Sequence, residues 1–408
     1  MKPIAYWLTN VRLESGYRLE NGIVTGTESE TCHLLIEDGK IARIVSAAHA
    51  VETDFPKLDA KDYLALPPFK EMHNHLDKTY LGGPWKSCKP VKNLIERLEL
   101  EAKELPILVK TINERAELLL TLFVKSGVTH VRTHVNIDPY IGLKNLESVR
   151  QALEHFEDKL TYEIVAFPQH GLLRDQVAGL MREAMREGAT LVGGLDPAGV
   201  DGRIEASLDQ MMDIAVESGA DIDMHLHDPG HLGWYTMKKL SELTREASWQ
   251  GRVAVSHAFA LGEVPHERAD EMAHIFAELG ISVMSTAPIN RLIPPVPLLR
   301  ERGVPVALGC DGFYDSWAPF GNGDVLEKAR HLSERYRWVD ELSLSQSLGF
   351  ITGGITPLNT EGQRVWPKVG DEASMVFAEA SCSAEAVARR ANRPAVMYKG
   401  KLVSGTFV

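Results

Sequence analysis

Ile222-Asp223-Met224-His225-Leu226-His227-Asp228 is a short apolar run that ends in a cluster of polar residues. Residues two apart in a strand face the same side, so this run reads as a buried strand that delivers His225 and His227 together at its end. Runs of the same texture begin near Leu64, Val128, Tyr162, Leu191, Val253, Ile281 and Val306, and Glu- and Lys-rich amphipathic stretches follow most of them. Short apolar strands alternating with helices are the signature of βα units on a parallel sheet. Eight such units in fewer than about 300 residues suit an α/β fold closed as a (β/α)8, TIM-like barrel. An open doubly wound sheet is the competing arrangement, but the chain has no GxGxxG or Walker loop to support a nucleotide fold.

Outward from the barrel, both chain ends read as β-structure. His33 to Val45 has the form of a hairpin, with Asp38-Gly39 as its turn between apolar flanks. Val369–Phe377 and Ala395–Val403 repeat that texture. Neither end alone has enough strands to be stable. The expectation is therefore one small β-sandwich domain from residues 1–65 plus 360–408, with the barrel in residues 66–359.

The bulk properties narrow the function. The chain has 408 residues, 44% hydrophobic and 25% charged, with a formal net charge of -12. Without a basic run, neither a nucleic-acid surface nor an anionic membrane is an expected partner. The four cysteines, Cys32, Cys88, Cys310 and Cys382, form no CxxC pair; a reducing cytoplasm is the simpler reading. Thr9, Asn10 and Arg12 interrupt the N-terminal apolar run, so no signal-peptide core is expected. The expected partner is a small molecule, and a homo-oligomer is compatible with the chain.

The chemistry gathers at strand ends. His73-Asn74-His75 places two imidazoles on one face at the end of the first strand candidate. His225 and His227 end the fifth, Ser256-His257 the sixth, and Cys310-Asp311-Gly312 the eighth. That end of a barrel carries the active site. Nitrogen and carboxylate ligands there suit catalytic zinc or iron(II). The fourth strand, Leu191 to Asp196, offers neither a lysine for carbamylation nor a cysteine, so one divalent ion is expected rather than a bridged pair. His134 lies close enough to the rim to be a candidate pocket residue. His130 reads as structural, and Lys78 and Trp85 fall on a long loop of the kind that covers sites.

Taken in order, Glu71-Met72-His73-Asn74-His75-Leu76-Asp77-Lys78-Thr79, His130-Val131-Arg132-Thr133-His134-Val135 and Ile164-Val165-Ala166-Phe167-Pro168-Gln169 carry a specific likeness. So do His225 with an acid three residues later, Ser256-His257, and Asp311 through Asp315-Ser316-Trp317. The chain resembles the cytosine deaminase branch of the amidohydrolase superfamily along nearly its whole length, and is similar to N-isopropylammelide-type aminohydrolases. The resemblance implies His73, His75, His225 and Asp311 as ligands of zinc or iron. It implies His257 as the group polarising the attacked carbon, Gln169 as a hydrogen-bond partner of the substrate ring, and Trp317 as a pocket wall. Asp311 would accept a proton from water, and an acid would protonate the departing nitrogen. Asp228 is the candidate acid, and His227, on the face of His225, competes with it.

Three departures shape the expected substrate. Asp228 stands where cytosine deaminases have Glu, His170 follows Gln169 where they have Glu, and Gly312 replaces an acid that would read a ring N–H. A site lacking a buried hydrogen-bond group recognises something else. Cytosine itself is not expected as the main substrate. The expected reaction is hydrolytic removal of an amino or alkylamino group from another nitrogen heterocycle. The alternatives are amide or cyclic-amide hydrolysis by the same chemistry, and an inactive ligand-binding barrel.

Overall fold

The computed structural model describes residues 5–407. Residues 1–4, where the reading against a signal peptide begins, lie outside them. The N-terminal strands are β1 (Ala5–Glu20), β2 (Ile23–Glu37), β3 (Lys40–Ser46), β4 (Lys57–Asp59) and β5 (Leu64–Leu66). Then come β6 (Phe69–Asn74), β7 (Val128–Asn136), β8 (Thr161–Phe167), β9 (Leu191–Leu195), β10 (Asp221–His225), β11 (Val253–Ser256), β12 (Ser282–Ser285) and β13 (Val306–Leu308). The last strands are β14 (Met375–Ala378), β15 (Ala395–Tyr398) and β16 (Lys401–Gly405).

Strands β6 to β13 pair in chain order as one parallel eight-stranded sheet. The seam between its first and last strands is bridged just beyond β13, where Asp311 N donates to His73 O at 2.7 Å. The fold is thus the expected TIM-like barrel. Segments such as Leu191-Val192-Gly193-Gly194-Leu195 and Val253-Ala254-Val255-Ser256 are buried at every position, as strands covered on both faces must be. The helix Ile112–Lys125 packs Ile112, Ala116, Leu119, Leu120 and Phe123 into the barrel core beside β7 at helical spacing. Each large side chain buried this way contributes roughly 1.5–3 kcal/mol.

The two ends of the chain meet in a single mixed sheet. Its order is β16-β15-β14-β5-β1-β2-β3, with β4 on β1. Asp38 and Gly39 both have positive φ, 47° and 77°, the geometry of a tight hairpin turn of the type I′ class. The glycine serves a second purpose, since a Cβ there would stand 2.9 Å from Lys399 O. The C-terminal hairpin thereby reaches the N-terminal one, and Tyr6 OH donates to Gly400 O at 2.6 Å.

One strand departs from the expectation. The first candidate, read as beginning near Leu64, is two strands. Leu64–Leu66 belongs to the mixed sheet, paired with β14 and β1, and the barrel strand starts at Phe69. Pro67-Pro68 separates them, because proline lacks the N–H that a central strand needs.

Glu14 on β1 is 1% exposed. Its Oε1 accepts from Ser383 N, and its Oε2 has no partner among the described residues. Burial pushes its carboxyl up to about 7, against the bonding to Ser383, and Glu341 adds repulsion. A carboxyl raised on folding binds more protons in the folded state, so it lowers stability as pH rises from the unfolded value near 4.5 through 7. Glu14→Gln is therefore expected to melt several degrees above the wild type at pH 8, with the gap closing at pH 4.5. Equal gaps at both pH values would contradict this account.

Among the described residues no helix is long and apolar enough to cross a membrane, and all four cysteines are free.

Candidate metal centre

The C-terminal ends of four strands converge on one point. His73 lies on β6 and His75 one residue past it, His225 ends β10, His257 follows β11, and Asp311 lies just beyond β13. His73 Nε2 and His75 Nε2 stand 3.7 and 3.5 Å from Asp311 Oδ1, and His257 Nε2 is 3.9 Å from Asp311 Oδ2. Two groups of possible ligand atoms, each spanning no more than 4.8 Å, share His73: His73/His75/Asp311 and His73/His225/His257. His257 and Asp311 occupy the left-handed region, φ 69° and 67°. That conformation costs a non-glycine residue about 1 kcal/mol or more and collects at functional sites.

The donor set fits a cation. His73 Nε2, both ring nitrogens of His225 and His257 Nδ1 are buried with no hydrogen-bond partner among the described residues. Such orphaned groups are costly unless something else meets them. The tautomers follow from the neighbours. Ser256 Oγ donates to Asp223 Oδ1 at 2.6 Å, so at 2.8 Å it accepts from His73 Nδ1–H and leaves the Nε2 lone pair facing Asp311. His75 Nδ1 lies 3.2 Å from His134 O. A carbonyl can only accept, so Nε2 of His75 also presents a lone pair. Burial and the Lys78 ammonium pull His75 down to about 3, and burial with neighbouring histidines lowers His134, His225 and His257 well below the usual imidazole range. The Asp311 carboxyl lies well below the usual carboxylate range and is ionised. Neutral imidazoles around an ionised carboxylate are what a divalent cation takes.

Beneath the ligands a buried network sets their orientation. Asp223 Oδ2 accepts from Arg132 Nη1 at 3.0 Å, and Arg132 Nε donates to Glu163 Oε2 at 2.7 Å. His134 lies within this layer, fully buried, its Nε2 3.9 Å from Asp223 Oδ2 and its ring against His225 and His73. It does not reach the cleft wall.

Above the ligands is a cleft of about 130 Å³ whose walls include Lys78, Phe167, Gln169, His227, Asp315 and Trp317. Lys78 is 4% exposed. It donates to Gln169 Oε1 at 2.5 Å and pairs with Glu101 Oε1 at 3.5 Å, where Trp317 Nε1 also donates at 3.0 Å. Because lysine only donates, it fixes the Gln169 amide with Oε1 towards itself and the N–H donors free for a ligand. His227 Nδ1 stands 2.9 Å from Asp196 Oδ2. Removal from water disfavours the His227 charge, but Asp196 outweighs it and raises the imidazole above its ordinary value. Asp228 instead accepts from Ala198 N and Gly199 N, both at 2.9 Å, and its carboxylate clamps the loop after β9. A larger cavity of about 340 Å³ lies at the opposite end of the strands, beside Ser282, Val306 and Gly353, with no histidine or carboxylate in its wall.

The structure thus brings His73, His75, His225, His257 and Asp311 together, with Gln169, Trp317 and His227 on the cleft above them, and leaves His134 and Asp228 off its surface. Sequence reasoning assigned no role to Ser256, Asp223, Arg132, Asp196, Glu101 or Asp315. Asp223 carried a signal: it sits two residues before His225 and so on the same face.

A model of the amidohydrolase family matches residues 110–404. The chain is 43% identical to the uncharacterized protein YahJ of Escherichia coli (strain K12), over 98% of this chain and 88% of that protein. The crystal structure of N-isopropylammelide isopropylaminohydrolase from Burkholderia multivorans superposes with a TM-score of 0.86 at 30% identity, covering 99% of each chain. That of 5-methylcytosine deaminase from Klebsiella pneumoniae, liganded with 5-fluorocytosine, gives 0.81 at 26% identity, covering 98% of each.

Proposed function

Because the chain belongs to the amidohydrolase family of metal-dependent hydrolases, we propose that it removes an amino or alkylamino group from a nitrogen heterocycle other than cytosine. His73, His75, His225 and Asp311 would hold one divalent cation, zinc or iron. The observation that carries this reading is the set of neutral imidazoles with outward lone pairs converging on an ionised Asp311 at the barrel mouth. Two solved relatives, an N-isopropylammelide isopropylaminohydrolase and a 5-methylcytosine deaminase, support a heterocycle.

A bound cation supplies a Lewis acid that brings the pKa of water to about 7. Asp311 takes the proton of the attacking water. His257 donates a hydrogen bond to the oxygen added at the ring carbon, while the electron pair of the attacked C=N bond passes to the ring nitrogen, which keeps one of the two water protons as an N–H. Gln169, held by Lys78, donates to a ring acceptor and sets the attack angle. The His227–Asp196 pair hands a proton to the departing nitrogen. The carbon keeps the water oxygen as a carbonyl, and the C–N bond breaks with release of ammonia or an amine.

Metal-loaded protein is expected to release ammonia or an alkylamine from a member of a triazine, pyrimidine, purine and pterin panel. His227→Ala is expected to lower kcat by roughly 10²- to 10⁴-fold while metal content stays near the wild-type value. A fully loaded protein that is silent across the panel would refute the reading. Amide or cyclic-amide hydrolysis is the second reading. It is favoured by the Asp228 carboxylate, which is committed to backbone amides rather than to the cleft. A new carboxylate without released amine would select it.

A further inference from the structure

Gly312 marks the place where the sequence lacks an acid, yet its space is not empty. A Cβ built on Gly312 would stand 2.2 Å from Asp315 Oδ2 and 3.7 Å from His75 Cδ2. The Asp315 carboxylate therefore occupies the volume that a side chain at 312 would fill, beside a ligand histidine. The backbone does not require glycine here, since Gly312 is not among the positive-φ residues. What excludes a side chain is Asp315 itself.

The turn after Asp311 sets the direction of that carboxylate. Asp315 Oδ1 accepts from Trp317 N at 2.8 Å and from Ala318 N at 3.0 Å. Oδ2 has no hydrogen-bond partner among the described residues, although Asp315 is only 2% exposed and lines the cleft. A buried carboxylate oxygen, unpartnered and open to the cleft, is an acceptor waiting for a donor.

Resting on the heterocycle reading above, we infer that Asp315 is the specificity-determining residue of the cleft, its Oδ2 accepting a ring N–H or exocyclic amino hydrogen of the substrate. With Gln169 donating from another wall, the cleft selects heterocycles that present both a hydrogen-bond donor and an acceptor. Lactam-type rings meet that requirement, and fully N-substituted rings fail it.

The test reads binding rather than turnover, by calorimetry on metal-loaded protein with uracil and 1,3-dimethyluracil as probes. The wild type is expected to favour uracil by roughly 10²-fold. In Asp315→Asn, the two backbone donors hold the amide oxygen at the Oδ1 position, so the –NH2 group faces the ligand and the preference collapses. Steric exclusion of the methyl groups would survive that change. The double variant Gly312→Asp with Asp315→Ser returns a carboxylate to the same volume while the serine hydroxyl keeps the turn, and is expected to regain the preference that Asp315→Ser alone loses. Metal content and melting temperature establish that each variant is folded. A wild type that fails to distinguish the probes would overturn the assignment, as would an unchanged preference in Asp315→Asn or a folded double variant that regains nothing. A protein that binds uracil through Asp315 yet releases no amine would sink the proposed reaction and leave this assignment standing.

Discussion

Asp311→Asn is expected to abolish turnover, by roughly 10³-fold or more, while leaving the chain folded. Two functions meet in this carboxylate. Its Oδ1 lies within 3.7 Å of the Nε2 atoms of both His73 and His75, and its Oδ2 is 3.9 Å from His257 Nε2. On the proposed mechanism it is both the anionic member of the ligand set and the base that takes the water proton. Removal of a positioned base alone costs 10²- to 10⁴-fold, and loss of the anionic ligand adds weaker cation binding. Asparagine is the informative substitution because it is among the few residues that tolerate the left-handed backbone, here φ 67°. Metal analysis is expected to show well under the wild-type occupancy at equal added metal, and metal-free melting temperatures are expected to agree within a few degrees. Full occupancy with turnover within tenfold of the wild type would remove Asp311 from both roles.

The barrel was legible because its strands are buried on both faces and so appear as bare apolar runs, while the intervening helices show a polar face. Leu191–Leu195 and Val253–Ser256 are examples. The same logic failed at Leu64. There two apolar strands of different sheets follow one another, and only Pro67-Pro68 divides them. The prolines were visible, but which sheet each strand joins depends on pairing with distant segments, Val376 with Leu66 on one side and Phe69 with Val128 on the other. The hairpin at Asp38-Gly39 posed no such difficulty, since a positive φ at both turn residues is a local demand.

At the site, the convergence of the histidines followed from chain position alone: a strand end in a barrel is a place on the rim. The layer below did not, because it depends on register. Ser256 meets His73 only because β11 carries it beside His225, and Arg132 reaches Asp223 across from β7. The Asp315 carboxylate was hidden for another reason. It fills the space beside Gly312 through the folding of a turn, and neither strand periodicity nor the spacing of residues 312 and 315 reveals that. The Gly312 departure was seen in the sequence as a loss, and that the Asp315 carboxylate fills the space beside it required coordinates.

The barrel seam and the position of His73, a proposed ligand, depend on the same glycine, so Gly309→Ala is expected to damage both. A Cβ at Gly309 would lie 2.4 Å from His73 N and 2.6 Å from both Glu71 Oε1 and His73 Cβ. These neighbours cannot step aside. Glu71 is fully buried and spans the seam between β6 and β13, accepting from Cys310 N at 2.9 Å and His73 N at 3.1 Å. The residue after Cys310 closes the seam by donating from Asp311 N to His73 O. An added methyl must therefore push β6 and β13 apart or break these bonds, and overpacking against a backbone falls at the severe end of such changes, roughly 3 kcal/mol or more. His73 moves with the seam, so metal occupancy is expected to fall together with the melting temperature. Gly179→Ala supplies the contrast. It lies in the helix Val177–Arg186 with nothing within 4 Å of its Cβ, and is expected to leave metal content unchanged and to melt at or slightly above the wild-type temperature. Were Gly309→Ala to melt within a degree of the wild type with full metal occupancy, the seam between the first and last barrel strands would have to be looser than these contacts require.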